Sequence, residues 1–263
     1  MSEMKVAAFM PVLNEGGRIE RAITSLQNQT HSISKLYVID GGSTDSTHEE
    51  VEKIAKEVDF EIELDVLQGA GVRYSSQYGA EKAAEHITEE LGEDDGMILR
   101  VEGDSSLDEN FVEEASRYLE REDYKVFGAP VKPHDPSTKP VKKRIFAIYQ
   151  NSEMLPKGRG MAFMAKDFYE FHGYRMEPGE EIKESNIDCL EDGILVSKLQ
   201  KEGKVAFSHN THVRSTVPST TATSMDRWKK GLRIEREIGP TGYYTKAVSP
   251  LNVMVYPFRR LLE

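Results

Sequence analysis

Short apolar runs that end in acidic, glycine-bearing segments alternate here with stretches of helical periodicity, and that alternation confines the chain to parallel α/β architectures. Residues 5–13 form a dense apolar run. Residues 18–29 then place Ile19, Ala22, Ile23 and Leu26 at i, i+3, i+4 and i+7, the core stripe of a helix. Residues 35–39 are apolar on both faces, as a strand inside a parallel sheet must be. Ser46-Thr47-His48-Glu49 then has the pattern of a capping box ahead of Val51, Ile54, Ala55 and Val58. The same reading predicts a third strand over residues 61–67, a helix over 76–91, a fourth strand over 97–101 and a helix over 108–121 capped by Asp108. Such an order packs helices on both faces of one sheet.

Beyond Tyr124 the pattern weakens. Residues 131–144 carry three prolines and several lysines and predict a loop. A short strand follows at 160–164, a helix at 190–202 stopped by Gly203, and a strand at 204–208. Farther on, the sequence predicts one helix over 225–237 and a mixed apolar and basic tail over 251–263. At 263 residues the chain has the length of one large unit, expected to divide into a main domain 1–215 (halves 1–125 and 126–215) and a helical extension 216–263.

Composition narrows the function. A net charge of -11 disfavours nucleic acid as a partner, although an acidic protein can hold a phosphorylated ligand in a local cationic or metal-bearing pocket. Cys189 is the only cysteine, which points to a reducing, cytoplasmic setting without disulfides. No apolar run approaches the ~18 residues that cross a bilayer, and the first residues lack a secretory pattern.

In an open α/β sheet, ligands bind outside the carboxyl ends of the strands. The polar residues gather there: "PVLNE" after the first strand, "DGGSTD" after the second, "QGAGVR" after the third and "EGDSS" after the fourth. The order "PVLNEGGRIERAITSLQNQ", "VIDGGSTDST", an acidic triplet and "EDGILVSKL" resembles the inverting family 2 glycosyltransferases. That resemblance implies the GT-A fold, a single Rossmann-like α/β/α sandwich with a mostly parallel central sheet. It also implies a nucleotide-sugar donor, a divalent metal (Mn²⁺ or Mg²⁺) and a single displacement at the anomeric carbon.

Chemistry gives these residue types a use beside the resemblance. An ionised carboxylate accepts strongly from the imide N–H of uracil, so Asp40 is a candidate base reader, with guanine and thymine nucleotides left open. Glu15 or Asn14 is placed for ribose hydroxyls, and Arg73 for the base edge, the ribose or the diphosphate. Pro11, Gly71 and Gly103 complete the nucleotide-binding set. Asp45 is expected to cap the next helix and stay outside the site. Glu102-Gly103-Asp104 resembles the family's Asp-x-Asp motif, with Asp104 as metal ligand and Glu102 acting through water or ribose. His212, or His209 beside it, is a further metal candidate. By the same resemblance, Asp192 of the Glu191-Asp192 pair matches the catalytic base, and Glu191 orients a loop or the acceptor. Gly160 lies in "GRGMAF", which resembles the family's segment beneath the acceptor.

Arg227-Trp228 resembles part of the signature of processive members, but Ser224 stands where Gln belongs. Trp228 can serve as an acceptor platform or pack structurally. Two other functions fit less well. A sugar nucleotidyltransferase needs a basic, glycine-rich loop after the first strand, and a non-catalytic nucleotide- or glycan-binding module would be marked by loss of Asp104 or Asp192. The expected partners are a nucleotide-sugar donor and a glycan, lipid or small-molecule acceptor. Peripheral membrane contact through the tail, at Phe258, Arg259, Arg260, Leu261 and Leu262, stays open.

Overall fold

The computed structural model describes residues 4–92, 95–135, 137, 158–174 and 191–216, with the side chains of 191, 193, 194 and 197 excepted. Cys189, Arg227, Trp228, the helix expected at 225–237, the tail and the extension 216–263 beyond Thr216 lie outside these residues.

The elements in chain order are β1 (Val6–Val12), α1 (Ile19–Gln27), β2 (Lys35–Asp40), α2 (Thr47–Ile54), β3 (Glu61–Val66), α3 (Val72–Glu85) and β4 (Met97–Val101). There follow β5 (Ser105–Leu107), α4 (Phe111–Leu119), β6 (Tyr124–Gly128), β7 (Val131–Pro133), β8 (Gly160–Met164) and α5 (Ala165–Glu170). Last come α6 (Glu191–Glu202), β9 (Lys204–Phe207) and β10 (Val213–Ser215). Seven strands form one sheet in the order β3-β2-β1-β4-β8-β6-β9, and β5-β10-β7 form a second, small sheet. The first four strands run parallel, while β8 is antiparallel to both β4 and β6.

Period-two alternation divides the core in two. Ala8, Met10 and Val12 of β1 face the layer of α1, α2 and α4, whereas Ala7 and Phe9 face α3 and α6. Burial of each large side chain contributes about 1.5–3 kcal/mol, so both faces of the sheet must be covered. The α1 stripe is buried as its spacing predicts, at Ile19, Ala22, Ile23 and Leu26.

Several boundaries differ from the sequence reading. Helix α3 starts at Val72, four residues before the expected 76, and continues past Glu85 as a wider π-helical turn over His86–Glu90. Strand β6 forms where the pattern weakens after Tyr124, and the expected loop 131–144 opens with β7, which is stabilised by pairing with β10, a contact local patterning cannot show. Asp108 does not cap α4. Its backbone carbonyl accepts from Phe111, while its carboxylate pairs with His212 and Arg214. Ser46 makes no capping bond to the backbone of α2, because its hydroxyl donates to Glu50. The Thr47 N–H is taken instead by Asp45, as expected of that residue.

Candidate active site

Strand order places a switch point between β1 and β4, since the chain proceeds outward from β1 to β2 and β3 on one side and from β4 to β8 on the other. A crevice opens there at the carboxyl ends. The carbonyls of Val6 and Val12 accept from Ser34 and Gly41 on the β2 side, and that of Lys5 accepts from Met97 on the β4 side. The backbone N–H and C=O groups of the odd residues of β1 therefore point toward β4. Pro11 is one of them, and it lies beyond the last β1 to β4 pair, Phe9 with Arg100. Its missing N–H costs no ladder bond there, and the two strands separate. Pro11 is buried in the sheet and shapes the crevice from below.

The loop after β1 is clamped by the motif after β2. Consecutive backbone N–H groups of Asn14, Glu15, Gly16 and Gly17 donate to Ser43 Oγ, Thr47 Oγ1, Asp45 Oδ2 and Glu50, at 2.8, 2.9, 3.0 and 2.7 Å. The Asn14 side chain closes the clamp by accepting from the Thr44 N–H at 2.9 Å, and Asn14 itself is left-handed, at φ 56°. The hydroxyl-rich motif thus fixes where Glu15 points.

Asp40 lies under this clamp. It is fully buried; Oδ2 accepts from the Ser43 N–H at 2.8 Å and pairs with His48 Nε2 at 2.6 Å, and Oδ1 accepts from Ser43 Oγ. Burial would raise its pKa, but the bonds from Ser43 and His48 outweigh burial and hold it below the ordinary carboxylate value. The expectation that Asp40 faces a nucleotide base is therefore not met here, because its oxygens are engaged within the turn.

Across the crevice the carboxylates are in the opposite condition. Glu15 pairs with Arg18 Nε at 2.7 Å, yet burial, reinforced by the charges of Asp104 and Glu102, pushes it up to about 7. Gly103 permits this proximity: a Cβ there would stand 2.8 Å from Glu15 Cγ. Glu102 is raised as well, by burial first and then by Asp104 and Asp192, against the pull of Arg159 and Arg100. Arg159 bridges the pair, with Nε 3.0 Å from Glu102 Oε2 and Nη2 3.7 Å from Asp104 Oδ2.

Asp192, in the first turn of α6, accepts from the Gly158 N–H at 3.3 Å. Gly158 packs flat on the buried guanidinium of Arg100, where a Cβ would stand 2.5 Å from Cζ. Arg100 lies 3.8 Å from Glu102. The backbone 158–159 thus joins Asp192 to Glu102 and Asp104. Sequence reasoning missed Arg159 and Arg100; the one available signal was an arginine inside the apolar run 97–101.

Other expected residues are placed elsewhere. His212 stands opposite Asp108, where its Nδ1 lies 3.0 Å from Oδ2, while Asp104 is at the other end of the small sheet, beside Ser215 and Thr216. The structure does not bring His212 to Asp104. His209 packs edge-on against Phe207. The histidine beside Asp104 is His134, with Nε2 3.3 Å from the Asp104 carbonyl. Gly160 is buried in β8, and its missing Cβ makes room for Val213, Leu107 and Phe111, so it serves the core rather than an acceptor surface. Gly71 and Arg73 stand at the start of α3, at the third strand's mouth. Glu191 opens α6, and its side chain lies outside the described residues.

No three His, Cys, Asp or Glu side chains converge into a complete metal cage among the described residues. A hard cation of the Mg²⁺ type needs only one or two carboxylates and completes its shell with water and substrate phosphate. Glu102 and Asp104, two carboxylates bridged by Arg159, fit that requirement.

Solved structures share this fold. One is TarS 1-349 from S. aureus in complex with UDP-GlcNAc, 15% identical, with a TM-score of 0.61 over 96% of this chain and 73% of that one. Another is the mannosyltransferase PcManGT from Pyrobaculum calidifontis in complex with GDP-Man and Mn²⁺, 15% identical, with a TM-score of 0.60 over 98% of this chain and 74% of that one. A longer TarS structure is 16% identical with a TM-score of 0.58, and there the chain spans only 39% of its length. No curated protein sequence matches. The family model for glycosyl transferase family 2 matches residues 7–177, well over half of the chain. With the GT-A sandwich and acids gathered at its switch point, the chain belongs to glycosyl transferase family 2.

Proposed function

We propose that the chain is a metal-dependent, inverting glycosyltransferase that moves a sugar from a nucleotide diphosphate donor, taken as a UDP-sugar, to an acceptor hydroxyl or lipid phosphate. The observation that carries this reading is the convergence of Glu15, Glu102, Asp104 and Asp192 at one crevice, with Asp192 tied by Gly158 to the Glu102 and Asp104 pair. TarS, similar in fold, is bound to UDP-GlcNAc, and PcManGT to GDP-Man with Mn²⁺, which supports a nucleotide-sugar donor.

Each residue then has a task. Mg²⁺ or Mn²⁺ would be held by Asp104, with Glu102 beside it, and when bound neutralises charge on the departing diphosphate. Glu15 accepts from ribose hydroxyls, since Asn14 is committed to the clamp. Arg73 and Gly71 border the nucleotide from α3. Asp192 takes the acceptor proton as the hydroxyl attacks, a role typically contributing ~10² to 10⁴ in rate. Glu191, Arg227 and Trp228 retain their expected parts toward the acceptor. Asp40 shapes the floor beneath the nucleotide instead of reading the base. Residues 1–215 carry the donor side of this site and the base, and Arg227 and Trp228 come from the extension that follows.

A screen of nucleotide sugars for hydrolysis, with and without Mn²⁺, tests the reading. At least one UDP-sugar is expected to release its diphosphate only with metal. If UDP bound but no donor were turned over with any acceptor class, the chain would instead be a non-catalytic nucleotide-binding module. Among the described residues no helix is long and apolar enough to cross a membrane.

A further inference from the structure

Arg159 occupies the place a divalent cation needs. Its Nε lies 3.0 Å from Glu102 Oε2 and its Nη2 3.7 Å from Asp104 Oδ2, while Nη1 donates to Ser215 Oγ. Ser215 Oγ is itself 3.4 Å from Asp104 Oδ2, so guanidinium, hydroxyl and both carboxylates form one cluster. The side chain is only 14% exposed, which seats the guanidinium between the acids rather than at the rim. Its backbone is fixed on one side by the contacts of Gly158 with Arg100 and Asp192, and on the other by the pairing of Gly160 with Val101.

Two cations cannot share this position, because like charges a few ångströms apart repel strongly where water is partly excluded. A guanidinium also has another use: its planar fork matches phosphate oxygens as well as carboxylates. We propose that Arg159 is a built-in counter-ion that holds the Glu102 and Asp104 pair in the ligand-free protein, yields it to the divalent cation, and then pairs with the donor's diphosphate. The diphosphate half of this exchange rests on the sugar-transfer reading, whereas the competition with metal does not. One consequence is an order of binding. Metal alone must displace the arginine from both carboxylates, whereas metal with nucleoside diphosphate also offers that arginine a new anionic partner.

The test compares the full chain with Arg159→Met, using Mn²⁺ titration followed by electron paramagnetic resonance, without nucleotide and then with UDP. Removing the competing charge is expected to strengthen Mn²⁺ binding without nucleotide on the order of tenfold, and to weaken UDP in the presence of Mn²⁺ by a similar factor. A merely structural arginine would not make the variant bind metal better. Equal or weaker Mn²⁺ binding by Arg159→Met, including no binding by either protein, overturns the proposal. Ser215→Ala keeps the charge but removes one anchor of the guanidinium. It gives a smaller gain in Mn²⁺ affinity of the same sign, and supplies the comparison if Arg159→Met does not fold. If the wild-type protein hydrolyses no donor, the sugar-transfer reading fails while the metal comparison still decides the competition.

Discussion

Asp40 and Glu15 are carboxylates just past the ends of neighbouring strands in one sheet, yet their surroundings drive them apart. Asp40 collects a backbone N–H, a hydroxyl and an imidazole within its own turn and is held below the ordinary carboxylate value. Glu15 is pushed up to about 7 by burial first and then by the charges of Asp104 and Glu102, despite its pairing with Arg18. What distinguishes them is the supply of donors. Where the chain furnishes its own, a buried acid is structural; where acids face acids across a switch point, the arrangement calls for a cation and a phosphorylated ligand.

The largest effects belong to the switch-point side. Asp192→Asn keeps shape and the Gly158 contact but cannot take a proton, so transfer falls by ~10² to 10⁴ while UDP affinity is retained. Steady-state rates beside calorimetric UDP binding check this; a variant with near wild-type transfer would remove Asp192 as the base. Asp104→Ala is expected to weaken UDP in Mn²⁺ by at least the ~10- to 100-fold that loss of outer-shell support costs a metal site. In chelator, UDP affinity should hardly change. Equal loss with and without metal would take Asp104 out of the metal site.

On the other side, Asp40→Asn turns an acceptor oxygen into an NH₂ group that faces donors. It should lower stability by about 1.5–3 kcal/mol, the range for bonds to a charged group, and leave UDP affinity nearly unchanged. The pH dependence follows from the sign of the shift. A carboxylate held below its ordinary 3.8 contributes stability that is complete above that value and is lost as pH falls through the lower, folded one. The gap between wild type and Asp40→Asn should therefore close in acid. Thermal melts from neutral pH downward measure it, and a UDP affinity that fell without a drop in melting temperature would restore Asp40 as a base reader.

How much of this contrast was visible in the sequence depends on the range of the contacts. Strands β1, β2 and β4 were legible as apolar runs buried at every position, and helix α1 by the period of its buried stripe. The three-residue strands β5, β7 and β10 were not, since each exists only through partners up to 110 positions away. The acids were found because they follow apolar runs, and their different fates were not. Ser43 is three residues from Asp40 and fits a local turn, but His48 reaches it across the start of α2. Arg159 comes to Glu102 because β8 pairs with β4 and sets Gly160 opposite Val101, a register between segments almost sixty residues apart that neither shows by itself.

The smallest effect is the most discriminating, because it reverses sign. Glu15→Gln, like Asp40→Asn, exchanges one carboxylate oxygen for an amide at nearly constant volume. Here the charge is what burial and the neighbouring acids disfavour, so removing it relieves the ligand-free protein. The gain is about 1 kcal/mol once water screening of a partly exposed group is allowed for. The ion pair with Arg18 is lost in the exchange, but Arg18 is 41% exposed and such a pair contributes only ~0.2–1 kcal/mol. The amide oxygen still accepts from a ribose hydroxyl, so UDP affinity should fall little. Denaturant melts of both variants at neutral pH then give opposite displacements of the midpoint, Glu15→Gln upward and Asp40→Asn downward. If both moved downward by similar amounts, Glu15 would be held by donors as Asp40 is, and the crevice would lose the crowding of acids that makes a cation necessary there.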